Sequence, residues 1–166
     1  MTEYRRVLVV GVGSDFGDDR VGPYVVDRLA TRIPACCDLR KARTPGDLLD
    51  RMEQVEELHV VDACRGAGLP GTTIRGDVDD ARFSGVCFRG THDLDVVSAL
   101  RLAGALRQLP RRTVIWGVER ANDGRPSLLF APLTAEVAAG ADRLVERIAA
   151  ELRAAAFRYA ESCRNA

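Results

Sequence analysis

Three short segments hold residue types that could do chemistry. The first is Gly11-Val12-Gly13-Ser14-Asp15-Phe16-Gly17-Asp18-Asp19, in which glycines open a turn and carboxylates crowd its end. A dinucleotide loop needs Gly-x-Gly-x-x-Gly, but three residues separate Gly13 from Gly17, and the acids would repel the pyrophosphate that a helix N-terminus attracts. The ordinary role for such acids is local, with Asp18 capping the following helix and Asp19 complementing its dipole. That accounts for one acid and leaves its neighbour without a task. The second segment is the apolar run Leu58-His59-Val60-Val61 ending in Asp62. Alone, an Asp there could be a turn former bonding nearby backbone N–H groups. The third is Thr91-His92-Asp93-Leu94, where His92 precedes a helix and Asp93 is the expected N-cap. The other histidine, His59, falls inside a strand.

Taken together the three segments say more than any one of them. Asp19, Asp62 and His92 all fall on strand-to-helix connections, which in a parallel sheet gather along one edge. Two carboxylates and one imidazole make an open site for a divalent ion, with water or substrate completing the shell. Zinc, nickel and manganese suit such donors better than soft ions do. A bound ion of that kind polarises a carbonyl or activates water. No His-Glu-x-x-His helix is present. Ser14 and Cys64 lie near these segments, but with His92 as the one available base a nucleophilic triad is poorly supplied.

The elements that must position these residues follow from periodicity. Val7 to Val10 reads as a buried strand ended by the Gly11–Gly13 turn, and Val21, Val25, Val26 and Leu29 recur at helical spacing, with Pro23 in the first turn. A short strand is expected over residues 38–42 and a turn or helix start at Thr44-Pro45-Gly46-Asp47. Further strands are expected at Leu58–Asp62, over 72–78 and at Thr113–Val118, with an irregular stretch from Asp79 to Gly90. A helix is expected from Asp93 and a last one from about Thr134, its buried stripe running Val137, Ala141, Leu144, Val145, Ile148 and Leu152. Strands alternating with helices predict an α/β fold, a mostly parallel sheet covered on both faces.

The bulk numbers fit a single soluble domain over residues 1–166, its core at about 6–150 and a helical tail to about 160. Lys+Arg and Asp+Glu balance at 24 each, which excludes a general nucleic-acid binder. Five cysteines without a Cys-x-x-Cys pair give neither a disulfide framework nor a structural zinc site. No signal-peptide pattern opens the chain, and no apolar stretch approaches the roughly 20 residues that span a bilayer. A cytoplasmic location away from membranes is the expectation.

At these residues the sequence resembles the hydrogenase maturation endopeptidases. That family shows a strand, a Gly-x-Gly-[Asn/Ser] turn and an acid pair before a helix, matched by Val7–Val10, Gly11-Val12-Gly13-Ser14 and Gly17-Asp18-Asp19. Its later Asp-Ala strand end matches Val61-Asp62-Ala63, and its proline-glycine loop matches Leu69-Pro70-Gly71-Thr72. Its His site matches Thr91-His92-Asp93-Leu94, and its Gly-[Ile/Val]-Glu strand end matches Gly117-Val118-Glu119. The resemblance runs in order over about residues 6 to 150. It implies a three-layer sandwich around a twisted five-stranded sheet, with Asp19, Asp62 and His92 as the residues that bind nickel, or zinc or cadmium in its place. It also implies an endopeptidase that cuts a C-terminal extension from the large-subunit precursor of a nickel-iron hydrogenase, the nickel being carried by that substrate. A monomer is expected.

Departures are Ser14 for the usual Asn, a first loop one residue short, and Lys41-Ala42-Arg43-Thr44 where many members carry Asp-Gly-Gly-Thr. Arg43, Thr44 and Gly46 are expected to border the substrate, and Lys41 to alter the charge there. The alternative readings are a non-catalytic nickel-checking protein on the same scaffold and a nucleotide- or nucleoside-binding enzyme.

Overall fold

The computed structural model describes residues 7–52, 55–88, 94–121 and 130–164. Its centre is made by segments too apolar to have a wet side. Strand β1 (Val7–Val12) is buried at every position, as a strand covered on both faces must be. A short 3-10 helix (Gly17–Arg20) leads into α1 (Val21–Leu29). Strand β2 (Cys37–Ala42) follows, then a 3-10 helix (Pro45–Arg51) opened by a capping box between Thr44 and Asp47. Next come β3 (Glu57–Arg65), β4 (Thr73–Gly76), a 3-10 turn (Ala81–Phe83) and β5 (Cys87–Phe88). The chain continues with α2 (Val96–Ala105), β6 (Arg112–Glu119) and the 30-residue α3 (Ala135–Arg164).

The strands order as β2-β1-β3-β6-β4, with β5 pairing β3 off that path. β1, β2, β3 and β6 run parallel, while β4 and β5 are antiparallel to their neighbours. The α/β sandwich predicted from the sequence is therefore present, with six strands where five were expected. The sixth is the two-residue β5, too short to leave a period in the sequence.

Period-two alternation sends the strand side chains to two cores. Val7, Val9, Val61, Val114, Trp116 and Val118 pack with α1 and α3. Leu8, Val10, Leu58, Val60 and Ile115 pack with α2 and the 45–51 helix. Two local readings change. The cap of α2 is Asp95, whose side chain accepts from Ser98 N, because the helix starts at Val96 and not at residue 93. Helix α1 has no side-chain cap, so Asp18 is free of that duty. Among the described residues no helix is long and apolar enough to cross a membrane.

At the amino edge of the sheet β3 opens on Glu57, which is 1% exposed. Its carboxylate accepts from Arg112 Nε (3.0 Å), Arg158 Nη2 (3.2 Å) and the Tyr159 hydroxyl (3.3 Å), so the far end of α3 is tied to the sheet. His59 Nε2 lies 2.9 Å from Glu57 Oε1, and Trp116 Nε1 donates to His59 Nδ1 at 3.0 Å. Indole nitrogen only donates, so Nδ1 accepts and Nε2 carries the proton toward Glu57. Burial would raise the Glu57 pKa, but the hydrogen bond from His59 and the charges of Arg112 and Arg158 outweigh it and hold the pKa below its usual value.

Candidate active site at the carboxyl edge of the sheet

The opposite edge is where β1 and β3 part. Their pairing ends at Gly11↔Val61, and the next residue of β3 is Asp62. Connections leave β1 and β3 on opposite sides of this point, which makes it the crevice where parallel sheets bind ligands. Asp62 is 1% exposed and stands opposite Gly117 of β6. Its Oδ1 accepts the Ala63 N–H at 2.7 Å, and its Oδ2 is buried with no partner among the described residues. An unpaired buried carboxylate oxygen is costly in a folded protein. Burial first, and the Asp19 charge second, push the Asp62 pKa well above the usual carboxylate range.

Asp19 comes to this place through close backbone packing. A Cβ on Gly22 would fall 2.2 Å from Val12 O and 2.7 Å from Val61 O, so only glycine lets α1 rest on both strands. A Cβ on Gly13, at φ +152, would fall 2.0 Å from Asp19 O. The turn after β1 is thus pressed against the acid it positions. Ser14 completes the hold: its N–H donates to Asp19 Oδ2 at 3.0 Å and its hydroxyl donates to the same oxygen. Both donors reach one oxygen, which leaves Asp19 Oδ1 clear of them. Asp19 and Asp62 therefore share an arrangement, with one oxygen anchored close to the backbone and the other without a hydrogen bond among the described residues.

Asp18 has a different task. It accepts from Ala121 N (3.0 Å), Thr134 N (2.8 Å) and the Thr134 hydroxyl (3.2 Å), so it clamps both ends of the connection between β6 and α3. The cap assigned to it from sequence is replaced by these contacts, whose partners lie more than 100 residues away in the chain. Glu119 is also structural: its two oxygens accept from Gly66 N (3.2 Å) and Ala67 N (2.6 Å) and shape the loop after β3. Sequence reasoning noted Glu119 as a strand end without assigning it this work, and it passed over Gly22 altogether.

His92 lies outside the described residues. Among the described residues no group of three metal-ligating side chains is assembled, so the structure brings together the acids and leaves the proposed third ligand untested. The 43–46 loop follows β2 at this same edge, with Arg43 paired to Asp15 (3.7 Å) and Thr44 engaged in the capping box. Lys41 does not project its charge into the site as expected: it belongs to β2 and pairs with Asp27 of α1 at 2.6 Å.

Solved structures share this fold. It is similar to the hydrogenase maturating endopeptidase HybD from E. coli, 24% identical over 90% of this chain and 93% of that one, with a TM-score of 0.70. It is also similar to the [NiFe] hydrogenase maturation protease HybD from Thermococcus kodakarensis, 23% identical over 89% and 98%, with a TM-score of 0.66. A third is the hydrogenase 2 maturation peptidase from a Thaumarchaeota archaeon, 28% identical over 89% and 97%, with a TM-score of 0.60. No curated protein sequence matches the chain. Residues 43–151, which include Asp62 and His92, match the family described as hydrogenase maturation protease. That match covers well over half of the sequence, and the chain belongs to the hydrogenase maturation protease family.

Proposed function

We propose that this protein is an endopeptidase that removes a C-terminal extension from the large-subunit precursor of a nickel-iron hydrogenase once nickel is in place. The observation that carries the reading is the buried Asp62 oxygen without a partner among the described residues, set beside the Asp19 carboxylate. Natural proteins rarely leave such an oxygen unsatisfied unless something else is to meet it. Asp19 and Asp62 supply two oxygen donors, and His92, on the connection before α2, supplies an imidazole. That set suits nickel carried by the precursor, or zinc or cadmium in its place.

The chain's own groups have separable roles. Ser14 keeps the Asp19 carboxylate in one orientation, and Ala63 N–H does the same for Asp62. Asp62 retains a proton more readily than an ordinary carboxylic acid, and its free oxygen, with Asp19 and His92, would hold a cation. A divalent ion held there supplies polarisation of the scissile carbonyl and activation of water. Arg43, Thr44 and Gly46 border the bound precursor from the β2 side. The enzyme works in the cytoplasm as a monomer.

The test is processing of a nickel-loaded precursor. Asp19→Ala is expected to keep the circular-dichroism spectrum of the parent and to leave the precursor at full length on a gel. Undiminished shortening by that variant sinks the proposal.

A further inference from the structure

The strand that carries Asp62 does not end there. It runs on through Ala63 and Cys64 to Arg65, and these residues, with Cys87 of β5 and Arg120 after β6, line a cleft of about 240 Å³. Ala63 and Cys64 are buried, Arg65 and Cys87 are exposed, and Arg120 is half-buried. The cleft is thus a mostly apolar slot bordered by two arginines, the composition of a pocket that takes a small, mostly apolar group with one anionic end. Cys64 is 1% exposed and forms part of the apolar wall.

Arg65 is set apart from the arginines that pair with acids. Arg28, Arg32, Arg40, Arg75, Arg82 and Arg112 all make ion pairs with acids. Arg65 has no ion pair or hydrogen bond among the described residues, although Glu119 is close by in the fold. Glu119 turns its two oxygens to Gly66 N and Ala67 N instead. Guanidinium groups recognise carboxylates through paired, charge-assisted hydrogen bonds.

We propose that this cleft is a carboxylate-binding subsite for the polypeptide being processed, with Arg65 as its principal contact. Arg65 lies three residues beyond Asp62 on an extended strand, about 10 Å along it. A substrate chain cut beside Asp62 places a residue roughly three positions from the cut within reach of Arg65. The carboxylate is either the free end of the extension or an acidic side chain near the cut. The assignment rests on the peptidase reading given above, but the cleft can be tested apart from it.

Nitrogen-15 NMR on the full chain separates the cases with three probes. These are acetyl-Gly-Ala-Ala with a free carboxylate, its C-terminal amide, and acetyl-Gly-Glu-Ala amide. Carboxylate-bearing probes are expected to shift the amide signals of Ala63, Cys64, Arg65, Cys87 and Arg120, while the neutral amide leaves them in place. Arg65→Gln should weaken that binding about tenfold or more, and Arg65→Lys less. Response to the free terminus alone identifies the end of the extension as the occupant, and response to both identifies any nearby carboxylate. Equal shifts with the neutral amide, or unchanged affinity in Arg65→Gln, overturn the subsite. Because no precursor is present, a failure of the peptidase assay and a failure of this one are read independently.

Discussion

Glu57 and Asp62 belong to the same strand, and each is about 1% exposed, yet their surroundings are opposite. Glu57 meets two arginines, a tyrosine and a histidine, and its pKa is held down. Asp62 meets one backbone N–H and a second acid, and its pKa is held up. Burial alone therefore does not tell a satisfied acid from an unsatisfied one. The hydrogen-bond inventory does: one carboxylate is complete among the described residues, and the other keeps an oxygen without a partner among them.

The sharpest way to break this contrast is to damage the complete side. Glu57→Gln removes a buried charge from partners that remain, and is expected to lower stability by about 2–3 kcal/mol in urea unfolding, reduced from the full buried-pair cost because both arginines are half-exposed. Processing per folded molecule should not change. Lost processing in folded Glu57→Gln would place the amino edge in the machinery and erase the distinction.

A smaller effect is expected at the incomplete side. Ser14→Ala frees the Asp19 carboxylate to rotate, and nickel binding measured by calorimetry should weaken about tenfold. Ser14→Thr, which keeps the hydroxyl, should restore most of it. Equal weakening by both variants would mean that Ser14 acts through packing and not as a donor.

The smallest effect has the opposite sign to the first. Asp62→Asn removes a charge that the fold penalises, so the metal-free protein should gain about 1 kcal/mol at neutral pH. A carboxyl whose folded pKa is raised loses stability as pH climbs from the unfolded value towards the folded one. The gain should therefore close below about pH 3.8, where the acid is protonated in both states, and open as pH rises. An Asn variant less stable than the parent at pH 7 would show that Asp62 is better satisfied than its contacts indicate.

Much of this was legible in the sequence, for reasons that differ by element. Val7–Val10 and Val60–Val61 announce buried parallel strands through unbroken apolar character, and from those strands the edge position of Asp62 follows. Asp18 was legible only as an acid to be explained, because its partners at Ala121 and Thr134 lie far along the chain. Glu57 follows Glu56 and looks like part of a solvated pair; only the return of α3 over the sheet buries it. Arg65 and Cys87 gave no signal because β5 has two residues and no pattern. The start of α2 was placed at Asp93 because Asp93 and Asp95 offer the same capping chemistry.

The clamp made by Asp18 has a mechanical side. Asp18 and Asp19 are joined by a single peptide unit, so the side chain that grips Ala121 and Thr134 and the one that faces Asp62 hang from one short lever. The turn between them is closely packed, since an added Cβ at Gly13 or Gly22 would meet backbone atoms. In this molecule the place of the Asp19 carboxylate is tied to where α3 begins as well as to the turn on which the acid sits.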